Sequence, residues 1–191
     1  MKLIGFYDYT VILTYLSICS AIVGMLLSSG GRFTAAVLCL VVSGICDGFD
    51  GTVARSKKNR TEDEKAFGIQ LDSLCDVVSF GVFPAFMCYH MGVNGVFGTI
   101  CVCLYSICAV IRLGFFNVLE AKRQQVEEGS AKFYRGLPVT SISIIFPVVY
   151  AIGLLLPENV VAVVLHILLL TVAFLFVLDF KVKKPSLLRA K

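Results

Sequence analysis

The stretch CDGFDGTVARS, residues 46–56, decides how the chain is read. It closes an apolar run that begins at Phe33 and is long enough to cross a bilayer. It also sets two aspartates, Asp47 and Asp50, where a membrane helix is ordinarily apolar. A second run, 67–90, carries Asp72 and Asp76 near its own start. Asp47 and Asp50 are three residues apart, and Asp72 and Asp76 four apart, so on helices each pair shares one face. The first pair ends one run and the second pair begins the next. On consecutive antiparallel helices the two pairs fall at similar depth, and four carboxylates converge.

The rest of the chain supplies the setting. Its 191 residues are 58% hydrophobic and only 16% charged, with mean hydropathy +0.87, which excludes an ordinary soluble domain. Six apolar runs, roughly 11–29, 33–54, 67–90, 94–118, 137–156 and 159–179, approach the ~20 residues that a spanning helix needs. The expected fold is an all-α integral membrane protein of six transmembrane helices, forming a single domain over 1–191. The residues before 11, LIGFYDY, suit a short interfacial helix with Phe6, Tyr7 and Tyr9 at headgroup depth. No signal-peptide cleavage pattern follows the start, and with the short chain this points to a prokaryotic cytoplasmic membrane.

Loop charge orients the spans. Arg55–Lys65 carries five basic residues, Leu119–Gly136 four, and the tail after Phe180 five. With Lys2 that is fifteen on one side, against Arg32 alone on the other, so both termini and the acidic cluster are expected in the cytoplasm. The net charge of +4 is dispersed among loops and does not suggest nucleic-acid binding. Eight cysteines lie in apolar runs with no Cys-x-x-Cys spacing, so they read as packing residues rather than a zinc site or a disulfide framework.

An aspartate at the centre of a membrane helix costs about 2.5–3.5 kcal/mol, less near its end. Four in one place also repel one another, so positive charge must compensate. Pairing with Arg55, Lys58 or Arg112 is the plain structural solution. An all-oxygen donor set also suits hard divalent cations, Mg²⁺, Mn²⁺ or Ca²⁺, and four carboxylates can hold two of them while leaving positions for substrate phosphates. Gly48, Gly51 and Gly68 beside the acids permit close approach by a ligand or a helix, and Arg55 offers a forked donor to a phosphate.

These residues form a pattern. Asp47-Gly-Phe-Asp50-Gly51-Thr-Val-Ala54-Arg55, followed by Gly68-Ile-Gln-Leu-Asp72-Ser-Leu-Cys-Asp76, resembles the signature of the CDP-alcohol phosphotransferases, Asp-x-x-Asp-Gly-x-x-Ala-Arg, a gap, then Gly-x-x-x-Asp-x-x-x-Asp. All eight defining positions are present. The resemblance implies six spans, transfer of a substituted phosphate from a CDP-linked donor to an alcohol with release of CMP, two divalent cations and a homodimer. It implies metal binding by Asp47, Asp50, Asp72 and Asp76, with Asp76 also the base for the incoming hydroxyl. Gly51, Ala54, Arg55 and Gly68 match positions lining the CDP moiety.

Three further stretches, GIQLDSLCDVVSFGVFPA (68–85), IRLGFFN (111–117) and FYRGLP (133–138), resemble the members whose donor is CDP-diacylglycerol and whose acceptor is L-serine. Two departures stand out. Twelve residues, SKKNRTEDEKAF, separate Arg55 from Gly68, a few more than usual. Gly114-Phe115 replaces the common Ala-Arg, leaving Arg112 as the basic residue of its segment. Arg112, Arg135, Asn117 and Ser79 are the candidates for contacting serine or a phosphate, with ion pairing, lipid headgroup contact and polar helix packing as their structural roles. His90 and His166 read as packing or interfacial residues. Other acceptors, glycerol 3-phosphate or inositol phosphate, remain open alternatives. A cation or proton transporter using the four acids is a remoter one, since the acids gather at one membrane face and no repeat is visible.

Overall fold

The computed structural model describes residues 4–57, 60–126 and 133–183, with the backbone alone for 122–126, 133–135 and 181–183. The helices are α1 (Ile12–Ser29), α2 (Phe33–Ser56), α3 (Glu62–Asp76), α4 (Phe83–His90), α5 (Gly95–Val126), α6 (Ile142–Gly153) and α7 (Glu158–Val177). A π-helical turn, Val77–Val82, joins α3 to α4 as one span, Glu62–His90. Among the described residues five helical stretches are long and apolar enough to cross a membrane, and Val139–Gly153 is a shorter apolar helix. The protein is a helical multi-pass membrane protein. Large apolar side chains such as Leu38, Ile107, Val163 and Phe174 face outward, as bilayer contact requires.

The interfacial helix expected before residue 11 does not form. Gly5 adopts φ +111, a left-handed conformation that interrupts a helix, and Asp8 is extended. In its place Asp8 caps a single 3₁₀ turn, Tyr9–Val11, accepting from the Thr10 backbone N–H at 2.8 Å, and this turn runs straight into α1. At the other boundary α3 opens with a capping box. The Glu64 N–H donates to Thr61 Oγ1 at 3.2 Å and the Thr61 N–H to Glu64 Oε2 at 2.9 Å. Lys57 bridges Asp8 at 2.8 Å and Glu64 at 3.0 Å, tying the entry to α1, the exit of α2 and the first turn of α3 together.

Small residues set the helix spacing. The buried face of α1 reads Thr14, Ser17, Ala21, Gly24 and Ser28, and it packs most extensively on α2. Gly24 is needed because the Phe83 ring lies against its backbone. Gly44 likewise admits Ser143 of α6 against α2. The core is built from Leu40, Phe80, Phe83, Tyr105, Phe146 and Phe176, all under 2% exposed.

The π turn has an identifiable origin. Pro84 has no N–H for the Phe80 carbonyl four residues earlier, so a regular α-helix cannot continue there. The ladder shifts by one residue, and the Phe83 N–H donates to the Val78 carbonyl. Two side chains of α5 reach into the turn. Tyr105 donates to the Phe80 carbonyl at 2.8 Å and Ser106 to the Gly81 carbonyl at 3.0 Å. Beyond α5 and α7, the three-residue strands β1 (Phe133–Arg135) and β2 (Lys181–Lys183) pair antiparallel, placing the ends of those helices on the same side.

Candidate active site

Three carboxylates meet between the C-terminal halves of α2 and α3. One oxygen each from Asp47, Asp50 and Asp72 lies within 4.8 Å of the others. Asp76, one turn deeper on α3 and 8% exposed, lies in hydrogen-bonding reach of Asp47, as Asp72 does of Asp50. The convergence of four acids expected from their spacing is therefore present. Both α2 and α3 pack on α1, which also contributes Thr14, whose buried Oγ1 donates to Asp50 Oδ2 at 3.2 Å. Sequence reasoning missed Thr14. Its signal is the run of small polar residues Thr10, Thr14 and Ser17 along one face of an apolar helix.

No cationic side chain neutralises this cluster among the described residues. The ion pairs there are Lys57 with Asp8, Lys57 with Glu64, and Lys65 with Glu62. Arg55 is exposed and donates to Thr52 Oγ1 at 3.2 Å. Lys58 lies outside the described residues. Asp72 Oδ1 is buried without any hydrogen-bond partner. An orphaned carboxylate oxygen among converging acids is costly unless a cation sits against it. The donor set is hard oxygen throughout, so these residues fit a divalent metal ion.

The remaining candidates divide by position. Gly51 and Ala54 follow Asp50 on α2, and a Cβ on Gly51 would stand 3.2 Å from the Arg55 Nη1. Gly68 faces the guanidinium of Arg60, a residue that sequence reasoning did not single out. Asn117 on α5 accepts from Ser73 Oγ at 2.8 Å, beside Asp72. Arg112 is 6% exposed and donates from Nε to the Leu137 carbonyl at 3.3 Å. It lies over the Phe116 ring with Asp179 nearby, so it is not paired with the four acids in these contacts. Gly136, at φ +73, makes room for it, since a Cβ there would stand 3.4 Å from Nε. Ser79 is fully buried in the π turn, where Ser17 Oγ approaches it at 3.5 Å in a cluster with Ser43. The backbone of Arg135 lies in β1, and its side chain is outside the described residues. His166 bonds to the Ala162 carbonyl at 2.7 Å and stacks on Phe97, a packing role.

The geometry defines a helical membrane protein with a cluster of carboxylates, between two packed spans, of a kind that can hold a metal ion. The sequence pattern of the CDP-alcohol phosphatidyltransferase family matches residues 9–178, and the chain belongs to that family. It is similar to the archaetidylserine synthase of Methanothermobacter thermautotrophicus, 33% identical over 153 residues, covering 80% of this chain and 61% of that one. It is also similar to the CDP-diacylglycerol–serine O-phosphatidyltransferase of Mycobacterium tuberculosis, 33% identical over 127 residues (66% and 43% of the two chains). The enzyme of the same name from Helicobacter pylori is 37% identical over 114 residues (59% and 46%). The chain thus spans between 43% and 61% of the length of these three relatives.

Proposed function

We propose that the protein transfers the phosphatidyl group of CDP-diacylglycerol to the hydroxyl of L-serine, giving phosphatidylserine and CMP. The observation that carries this reading is the meeting of Asp47, Asp50 and Asp72 within 4.8 Å, at family-signature positions. The names of the relatives support serine as the acceptor.

Asp47, Asp50, Asp72 and Asp76 would hold two divalent cations, Mg²⁺ or Mn²⁺. Bound there, they supply charge neutralisation for the donor pyrophosphate and the departing CMP. The chain's own residues do the rest. Gly51, Ala54 and Gly68 line the CDP moiety, and Arg55, exposed at the end of α2, binds a phosphate oxygen. Asp76 takes the proton of the serine hydroxyl as its oxygen bonds to the phosphorus bearing diacylglycerol. The bond from that phosphorus to the CMP oxygen breaks, and CMP leaves with the electron pair. Arg112, Asn117 and Arg135 are the proposed contacts for serine. The position of Ser79 inside the bundle suits packing better than substrate contact.

In this reading Val139–Gly153 is the sixth span, the protein is a homodimer forming a single domain, and both termini and the site face the cytoplasm. The basic loops then meet the anionic leaflet. The test is CMP release by purified protein with CDP-diacylglycerol and Mn²⁺, offering L-serine, glycerol 3-phosphate or inositol phosphate in turn. Serine-dependent release that chelator abolishes, and that drops by roughly 10²–10⁴-fold in Asp76→Asn, supports the reading. Release only with a phosphorylated acceptor keeps the family and overturns serine.

A further inference from the structure

Among the described residues three buried side-chain polar atoms lack a hydrogen-bond partner, Ser28 Oγ, Asp72 Oδ1 and Arg60 Nε. The last two belong together. Arg60 precedes the α3 cap and folds back along the helix, where Nη2 donates to the Glu64 carbonyl at 3.0 Å. Its guanidinium reaches as far as Gly68, and a Cβ there would stand 2.6 Å from Nη2. Gly68 is four residues before Asp72, on the same face of α3 and about one turn away, about 6 Å along the axis. None of the ion pairs among the described residues includes Arg60.

An arginine with a buried, unfilled donor therefore lies one turn from an aspartate with a buried, unfilled acceptor. The first needs anionic oxygen and the second needs a cation. A cation-bound pyrophosphate satisfies both at once. We infer that Arg60 is a donor-binding residue, its guanidinium holding a phosphate oxygen of the CDP moiety beside Gly68. Arg60 lies in the charged segment between Arg55 and Gly68 that lengthens the signature's gap. This rests on the functional reading above and adds a contact outside the signature positions.

The test uses the full chain in nanodiscs of neutral phosphatidylcholine with Mn²⁺, and water-soluble CDP as the probe. Arg60→Gln should raise the Kd for CDP roughly tenfold or more, as loss of a charge-assisted hydrogen bond requires, and Arg60→Lys by less. The KM for CDP-diacylglycerol should rise in parallel, with the KM for L-serine and the thermal midpoint little changed. Unchanged CDP binding in both variants, whatever their stability, would overturn the inference and leave Arg60 as a helix-end brace. Unchanged CDP binding with an altered dependence on added anionic lipid would overturn it in favour of a headgroup contact. If Arg60→Gln does not fold, the Arg60→Lys shift decides. CDP binding needs no acceptor, so a wild-type protein that releases no CMP with serine sinks the functional reading while the arginine is still judged.

Discussion

Thr14 of α1 donates its buried hydroxyl to Asp50 of α2 across 3.2 Å, so the helix that supports the acidic pairs also orients one of them. Thr14→Val keeps the shape and removes the donor. Freed of this bond, Asp50 holds its orientation less well. The Mn²⁺ concentration for half-maximal CMP release should then rise roughly tenfold, the usual effect of losing an outer-shell partner. Metal titration of the variant checks it, and an unchanged midpoint would show that Asp50 is oriented by its other neighbours.

Asp72 brings an orphaned oxygen to the cluster. Asp72→Asn should abolish activity yet make the chelator-treated protein more resistant to heat than its parent, because one unneutralised charge is gone. The parent should regain the difference as Mn²⁺ is added, by preferential binding to the folded state. Thermal unfolding in detergent, with and without Mn²⁺, reads both effects.

Tyr105 holds the π turn through the Phe80 carbonyl. Tyr105→Phe leaves that acceptor buried and short of its partner, at a cost of about 1–3 kcal/mol. A lowered unfolding midpoint with near-normal metal affinity is the expected result.

The Asp8 carboxyl is held down to about 2 from 3.8, chiefly by the hydrogen bond from Lys57 and then by that from Thr10. A carboxyl with a depressed folded value stabilises fully above its ordinary value and loses that contribution as the pH falls through the folded value. The stability gap between wild type and Asp8→Asn should thus be complete above about pH 4 and close as the pH approaches 2. Acid unfolding of the two proteins, monitored by circular dichroism, gives the comparison.

The helices and the acidic pairs were legible because they rest on local signals, namely apolar length and a spacing of three or four residues. What escaped depends on partners far along the chain. Thr14 looks like any small residue of a membrane helix until α2 brings Asp50 to it. Arg60 looks like one charge in a solvated loop until α3 shows it a bare glycine. The pairing of Phe133 with Lys183 joins segments with no β pattern of their own. The missed interruption at Val77–Val82 had one local sign, Pro84, but a proline alone does not say whether a helix will kink, stop or widen. The interfacial helix failed on Gly5 and Asp8, two residues whose preferences oppose helix.

The widened turn has a consequence for how this span can be altered. Each residue of an α-helix advances its face by about 100°. The wide turn takes up one extra residue, so drawing these same residues into a uniform α-helix would swing Asp72 and Asp76 about a quarter-turn relative to the buried Phe83–Cys88 segment. The anchoring half and the acidic half of this span are thus phased independently, and the turn is the clutch between them. A regularised helix would be the simpler rod, with its carboxylates facing the wrong neighbours.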